Sequence, residues 1–290
     1  MKTIHKGGIR PNLIRTNHDI RLAVQTWLED RTQAEQIYGH IKDWDTRQVT
    51  DMSHLFHSTG YVYDDDDDLS GIYNDFNDDI SKWDVSIVTN MNFMFSKTNK
   101  FNQRLDKWNV SNVVTMRGMF DFAVAFNQPI NNWDVSNVRN MESMFHFATK
   151  FNQPLNKWNV SRVQNMNWMF MNATSFNQPI DNWKFRSGVE MESMFSFAES
   201  FNQDLTSWDG IEPYYPYGDG EDIFEGSAMT KVNYPTIGIT MRQNITKKNK
   251  ERFNTLLSAS RKHLNKKKDD PKCITREKAL SIMDEIIKAI

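Results

Sequence analysis

Large apolar residues recur along this chain with a fixed spacing of 25 positions. Phenylalanines followed by Asn and Gln open five successive units, at Phe101, Phe126, Phe151, Phe176 and Phe201. Six tryptophans keep the same step, at Trp83, Trp108, Trp133, Trp158, Trp183 and Trp208. A degenerate earlier copy occupies residues 41–56 and carries Trp44. Because self-similarity at a fixed period is typical of repeat architectures, the sequence predicts an array of stacked units.

The pattern within one unit predicts its local structure. In residues 101–110 single apolar side chains stand in a polar run that often contains Pro, which favours a short strand and a turn. Ser111 stands where the N-cap of a helix would be. The apolar residues that follow fall on one face of a short helix: Val113, Met116, Met119 and Phe120. Each unit is therefore predicted as short strand, turn and short helix, and the chain as an α/β repeat solenoid.

One unit cannot fold by itself. Burial of its large apolar side chains contributes roughly 12–24 kcal/mol, whereas ordering the unit costs about 37 kcal/mol. Neighbouring units must therefore supply the missing burial and hydrogen bonds. The Phe, Trp and Met columns are accordingly interpreted as core. The Asn-Gln columns are interpreted as amide ladders between units about 4.8 Å apart. The alternative is a row that faces solvent and a ligand, at Gln103, Gln128, Gln153, Gln178 and Gln203.

The pattern divides the chain into four regions. They are an N-terminal segment with a cap helix (1–40), the solenoid (41–210), a turn-rich linker (211–240) and a basic helical tail (241–290). The cap helix has an N-cap at Asn17 or Thr16. Its predicted apolar face comprises Ile20, Val24, Trp27, Leu28 and Ala34.

Two interruptions of the repeat are visible. An acidic insertion at about 57–75, with five consecutive aspartates from Asp64 to Asp68, is predicted to project from the stack as a loop. In the unit of Trp183, Phe185 replaces the usual Val, and Gly188 falls where the next Val is expected. The start of the predicted helix is therefore expected to be distorted there.

Charge is unevenly distributed along the chain. The net charge is −2, but residues 241–290 contain 14 Lys and Arg against 6 Asp and Glu, a net +8, so the remainder carries −10. Two helical patterns lie in this tail, at 246–264 and 275–290. The tail is predicted either to cap the last unit or to dock on a partner, including the acidic body of a second copy.

The sequence contains no pattern that predicts catalysis. It has neither a nucleophile elbow nor a phosphate-binding glycine loop, so no enzyme and no cofactor are expected. His54 and His57 have a metal-compatible spacing but lack a Glu or Cys partner nearby. The aspartate run fails the calcium-loop pattern, because Leu69 stands where Gly is required. No metal site is therefore predicted.

The sequence also shows no recognisable membrane span or secretory signal. No apolar run approaches the length of a membrane span, and the first residues lack the apolar core of a secretory signal. Cys273 is the single cysteine, which rules out an intrachain disulfide.

The repeated string F-N-Q-P-[LI]-x-x-W-[DN]-V-S-x-V-x-x-M-x-x-M-F resembles a known family. It is similar to the repeat of the BspA-like leucine-rich-repeat surface proteins, especially the 25-residue version found in mycoplasma-type lipoproteins, algae and large DNA viruses. The resemblance covers roughly residues 20–210. It implies a leucine-rich-repeat-like solenoid that binds other molecules, with no catalytic residues. The missing signal and lipid-anchor cysteine favour a protein of a large DNA virus that acts in the host cytoplasm or the virion.

The functional hypothesis is a non-enzymatic scaffold for protein–protein interaction, structural or host-interacting. Its predicted contact residues form the variable column Arg104, Pro129, Pro154, Pro179 and Asp204. The partner would be a virion or host protein, and an oligomer is compatible with the pattern.

The alternative hypothesis is a nucleic-acid-associated protein that binds through the tail. Its contact residues would be Lys247, Lys248, Lys250, Arg252, Arg261, Lys262, Lys266, Lys267 and Lys268. A third hypothesis, a carbohydrate-binding module, needs exposed aromatic residues on one face, whereas the sequence places nearly all of them inside.

Overall fold

The structure is a computed structural model that describes residues 12–57, 74–208, 223–233 and 235. Two helices and a small parallel sheet form its N-terminal part. The strand β1 (Ile14–Thr16) precedes the helices α1 (Ile20–Glu29) and α2 (Arg31–Tyr38). A 3-10 helix (Ile41–Asp43) then leads into β2 (Asp45–Gln48), which pairs with β1 in parallel. A second 3-10 helix (Lys231–Asn233) lies at the other end of the described chain.

The predicted cap helix is two helices. Asp30 ends α1 and begins α2, because its extended backbone breaks the helix while its side chain accepts a hydrogen bond from the Gln33 N–H. The N-cap residue of α1 is Asp19, two or three residues later than predicted. Of the predicted apolar face, Leu28 is wrong: it is 39% exposed, whereas Ile20, Val24, Trp27 and Ala34 are buried.

The repeated units lie on one another in parallel. One residue of each unit forms a parallel bridge with its equivalent in the next, and the bridges run through Asp51, Asn90, Thr115, Asn140, Asn165 and Glu190. A second series of backbone hydrogen bonds runs beside it, for example from the Val114 N–H to the Thr89 carbonyl and from the Arg139 N–H to the Val114 carbonyl. The backbone of each unit is thus paired with its neighbours.

The short helix predicted in each unit does not form between residues 74 and 208. In the segment 141–148, alternate N–H groups donate to the next unit, as Met141 does to the Asn165 carbonyl. The intervening N–H groups close tight turns, as Met144 does to the Met141 carbonyl. Ser143 and Phe147 have φ values of 54° and 52°, outside the right-handed helical region. Hydrogen bonds to the neighbouring unit therefore replace those of a helix.

The core consists of columns of equivalent residues. The phenylalanines that open neighbouring units stack with ring centroids 5.8 to 6.0 Å apart, as Phe126 does on Phe151. A second phenylalanine column lies against the first, with Phe145 stacked on Phe151 at 4.1 Å. These rings are fully buried, as are the methionines Met141 and Met144 of the same unit.

The expected distortion near Gly188 is a one-residue shift. Gly188 has a φ of 69°, and Val189 takes the buried position that the usual Val occupies one residue earlier in other units. Phe185 packs edge-on against Trp208, with ring centroids 4.7 Å apart.

Residues 223–233, beyond the predicted end of the solenoid at residue 210, also pair with the stack. The Phe195 N–H donates to the Ile223 carbonyl, and the Leu205 N–H donates to the Asn233 carbonyl. The ring of Phe224 stacks on that of Phe195 at 5.6 Å. Residues 223–233 therefore form a partial further unit, offset from the preceding one by more than 25 residues.

Candidate interaction surface

The indole groups of the repeat hold neighbouring units together. In six consecutive units the indole N–H donates to a backbone carbonyl of the preceding unit, as Trp158 Nε1 does to Ile130 at 3.1 Å. The tryptophans that make this contact are Trp83, Trp108, Trp133, Trp158, Trp183 and Trp208. All are at most 4% exposed. Their polar atoms are therefore used inside the stack.

The Asn-Gln columns form a second internal ladder. Asn152 Oδ1 accepts hydrogen bonds from the Asn177 N–H at 3.0 Å and from Gln178 Nε2 at 2.9 Å. The same pair of bonds recurs at each junction from Asn77 to Asn177. At the last junction Thr230 and Asn233 take the places of Asn and Gln as donors to Asn202. Each glutamine of the row therefore has a partner within the stack.

The predicted contact column lies on the surface. Its members Arg104, Pro129, Pro154, Pro179 and Asp204 are all exposed and occupy equivalent positions in five consecutive units. The two ends of the column are polar. Arg104 pairs with Asp106 at 3.1 Å, and Asp204 accepts hydrogen bonds from the Thr206 N–H and hydroxyl. The bond from the Thr206 side chain lowers the pKa of Asp204 below its ordinary value.

Three exposed prolines form the middle of this column. Pro129, Pro154 and Pro179 have no amide hydrogen to donate and present apolar rings to solvent. Beside them, polar side chains join neighbouring units: Asn131 Nδ2 donates to Asn156 Oδ1, and Lys157 Nζ donates to Asn132 Oδ1. This surface, called the proline column below, is a rigid apolar strip with a polar border.

Several aromatic residues outside the predicted core columns lie at the surface. Phe93, Phe122, Phe147 and Trp168 are half-buried, and Phe197 is 42% exposed. They were not predicted from the sequence, although Phe122 and Phe147 are 25 residues apart and Phe197 follows two such steps later. Some of these rings cover one another: Phe122 stacks on Phe147 at 4.4 Å, and Phe93 stacks on His54 at 5.0 Å. The stacked faces are therefore not open platforms for a sugar ring.

Charged side chains border these aromatic residues. Arg117 pairs with Glu142 at 2.8 Å and lies over the Phe93 ring. His146 Nδ1 lies 2.9 Å from Asp121. These groups join consecutive units, and the His146 ring also packs edge-on against Phe122 and Phe147.

Metal and membrane chemistry find no support in the described part of the chain. Although His54 and His57 are in ring contact, residues 12–57, 74–208 and 223–233 contain no group of three potential ligands that could hold a metal ion. No helix there is both long and apolar enough to cross a membrane. The aspartates 64–68, Cys273 and the basic residues of the tail lie outside the described residues.

Comparison with known proteins gives one match. Residues 32–116, 66–175 and 129–214 match a family described as "Mycoplasma protein of unknown function, DUF285". Together these segments cover more than half of the chain and coincide with the repeats. No curated protein and no solved structure matches the chain.

Proposed function

The chain belongs to the DUF285 family of Mycoplasma proteins of unknown function, and from this premise we propose that it is a non-enzymatic scaffold that binds another protein through the proline column. One observation carries the proposal. The repeated aromatic, methionine and amide groups are used between units, whereas the variable column is exposed in five consecutive units.

A rigid column of this kind is suited to binding an extended protein surface. The inter-unit hydrogen bonds fix the spacing of the exposed side chains, so little conformational entropy is lost there on association. Pro129, Pro154 and Pro179 provide an apolar centre, and Arg104 and Asp204 provide polar ends of opposite charge. An apolar centre with a polar border is the usual composition of a protein–protein interface.

The finer parts of the proposal rest on the resemblance to BspA-like repeats. We assign the stack to the leucine-rich-repeat-like class of solenoids, and the parallel bridge between successive units supports this assignment. We further propose a structural or host-interacting role for a large DNA virus, in the host cytoplasm or the virion; the resemblance and the sequence features noted with it are its support.

The proposal is tested by changing the column without changing the stack. Pro129→Glu, Pro154→Glu and Pro179→Glu are combined in one variant, because Arg104 and Asp204 show that the position accepts side chains other than Pro. The control combines Val114→Glu, Arg139→Glu and Gln164→Glu, at another exposed column of equivalent positions. Both variants and the wild type are used for affinity capture from the native source. We expect the wild type and the control variant to capture a protein partner that the proline variant does not capture. Equal capture of that partner by both variants would contradict the proposal.

The nucleic-acid hypothesis remains the second candidate, carried by the net charge of +8 in residues 241–290. Its test is a full-length chain with the nine basic tail residues named above changed to Gln. A filter-binding assay would show RNA or DNA retained by the wild type, with affinity falling steeply as salt rises. Retention that is unchanged in the Gln variant would exclude the tail as the binding element.

A further inference from the structure

Two histidines meet at the junction between the first repeat and the second. The rings of His54 and His57 pack edge-to-face, with centroids 5.5 Å apart. His54 also stacks on Phe93 of the next unit at 5.0 Å. The pair is therefore part of the contact that joins residues 41–57 to residues 74–98.

The surroundings of His57 suit a neutral ring. Its Nδ1 atom is buried and has no hydrogen-bond partner among the described residues. Two influences weaker than burial, the charge of Asp121 and the Ser96 backbone, favour the protonated ring. A proton added at Nδ1 would lie in a buried place with no acceptor, which is costly. Burial, followed by the charge of His54 when protonated, lowers the pKa of His57 below its ordinary value.

Charges of both signs face the pair, and the two cations that act on His54 are each paired with an acid, Arg21 with Asp51 and Arg117 with Glu142. Arg21 on α1 and Arg117 on the third unit act on His54, and Lys97 on the second unit acts on His57. The anions that face the pair are Asp51, which pairs with Arg21 at 3.2 Å, and Asp121. Burial, and after it the charge of Arg21, lowers the pKa of His54.

The same short segment carries the backbone bonds of the junction. The His54 N–H donates to the Asn92 carbonyl at 2.8 Å, and the Phe56 N–H donates to the Met94 carbonyl at 3.0 Å. Arg21 additionally donates to the Ser53 carbonyl, which ties α1 to the segment. Opening this junction would release the His54 ring from Phe93 and Arg117 and the His57 ring from Lys97, and would expose both imidazoles to water.

We propose that His54 and His57 form an acid-sensitive latch that keeps the first repeat docked on the second while both rings are neutral. Above the ordinary histidine pKa of about 6.5 the rings are neutral whether the junction is closed or open, so acid has no effect. As the pH falls below about 6.5, the open junction binds protons that the closed one excludes, and opening is favoured. The effect is complete once the pH is below the pKa values of the closed form.

Hydrogen exchange measured by mass spectrometry on the full-length chain tests the latch. Protection factors, corrected for intrinsic exchange, are compared at pH 7.5 and pH 5 for residues 52–57 and for the equivalent residues 166–171. The second segment contains no histidine but makes the same inter-unit bonds. For example, the Trp168 N–H donates to the Glu192 carbonyl, as the His54 N–H does to the Asn92 carbonyl. We expect protection of residues 52–57 to fall by about tenfold or more, since one pH unit of depression in one pKa changes the opening equilibrium up to tenfold. Protection of residues 166–171 should stay constant.

The repeat supplies the replacement residues for the matched variant. Phe93 and Ser96 occupy the positions of His54 and His57 in the next unit, and Phe93 has nearly the same φ as His54, 52° against 55°. In the His54→Phe/His57→Ser variant, the fall in protection at pH 5 should disappear. Independently of any variant, NMR titration of wild-type imidazoles should give both pKa values below 6.5. Values at or above 6.5, or an unchanged fall in the double variant, would overturn the latch.

Discussion

The ring of Phe93 occupies the space into which a side chain at Gly118 would project. A β-carbon at Gly118 would lie 2.3 Å from Phe93 Cε1, far inside van der Waals contact. Gly118 has a φ of 56°, but this backbone conformation alone does not require glycine, because Ser143 and Trp168 adopt it at equivalent positions. The contact between neighbouring units requires glycine here.

This relationship predicts an unusually costly Gly→Ala substitution. Gly118→Ala should lower the free energy of unfolding by about 2–4 kcal/mol, from the forced displacement of Phe93 and the strain of a positive φ. Gly188→Ala is the matched control: its φ is 69°, but nothing lies within 4 Å of an added β-carbon. It should cost only about 1–2 kcal/mol. Urea denaturation of both variants measures the difference.

A third variant separates the clash from the strain. Phe93→Ala combined with Gly118→Ala should cost less than the sum of the two single substitutions, because removing the ring removes the clash. Strict additivity in this double-mutant cycle would show that the contact between Phe93 and residue 118 is not the cause.

The indole ladder predicts a difference between two tryptophans. Trp158→Phe removes the hydrogen bond to the Ile130 carbonyl from a buried site and should cost about 1–3 kcal/mol. Trp168→Phe is the control, because Trp168 is half-buried and its indole has no hydrogen bond among the described contacts. Its substitution should cost less than about 1 kcal/mol. Equal destabilisation in thermal unfolding would show that the inter-unit indole bond adds no measurable stability.

The sequence predicts the core of this fold far better than its backbone. Phe126 and Trp133 are buried as their periodicity indicates, because a column that recurs in every unit must face its own copies. The turns at Ser143 and Phe147 carry no such signal. Whether Met-x-x-Met-Phe forms a helix depends on competition with hydrogen bonds to the next unit, and these exist only once the units are stacked.

The candidate surface, too, is predictable from the sequence only where it follows the regular repeat. Exposure of Pro129 and its equivalents follows from variability at one position of a regular repeat. The aromatic residues Phe122, Phe147 and Phe197 could have been found from their spacing. The partial unit at residues 223–233 could not, because its offset differs from 25 and its Thr230 and Asn233 replace the usual Asn and Gln.

The amide ladder predicts that aspartate can replace asparagine where leucine cannot. Among the described residues, the Asn152 side chain bonds through its Oδ1 atom, which accepts from the Asn177 N–H and Gln178 Nε2. Asn152→Asp keeps this acceptor and should change stability at pH 7 by less than about 1 kcal/mol. Asn152→Leu leaves the Asn177 N–H without its partner and should cost about 2–3 kcal/mol. Chemical denaturation at pH 7 compares them, and similar losses in both variants would contradict the acceptor role.

The Asp134 carboxylate should make a small contribution to the free energy of unfolding that is lost in acid. Hydrogen bonds from the Ser136 side chain and N–H lower the pKa of Asp134. A depressed pKa means that the stabilisation is fully present above the unfolded value of about 3.9 and is lost as the pH falls through the folded value. In Asp134→Asn, which reproduces Asn109 and Asn159 of other units, this loss should be absent. The melting temperatures of wild type and variant, measured from pH 7 to pH 2.5, should therefore converge below pH 4.

The control for this titration is Asn159→Ser, at the equivalent position of the next unit, where an uncharged side chain accepts the bond from the Ser161 N–H. Its melting temperature should differ from that of the wild type by an amount that does not change with pH. If the melting temperatures of wild type and Asp134→Asn differ by the same amount at every pH, the hydrogen bonds from Ser136 to Asp134 give no pH-dependent stabilisation.

The ladders predict that one whole unit can be removed without loss of the fold. Deletion of residues 151–175 joins Lys150 to Phe176, which restores the Lys-Phe-Asn-Gln-Pro sequence found at 150–154. Asn177 would then donate to Asn127 and the Trp183 indole to the Ile130 carbonyl, the atoms that Asn152 and Trp158 contact in the full chain. Because stability in a repeat array is nearly a sum over units and their interfaces, we expect a single cooperative unfolding transition with a moderately lower midpoint. Deletion of residues 151–170 is the control, since it removes 20 residues and places every later column out of register. It should abolish cooperative unfolding in circular dichroism melts, whereas retention of the transition in both deletions would show that the 25-residue register does not hold the stack together.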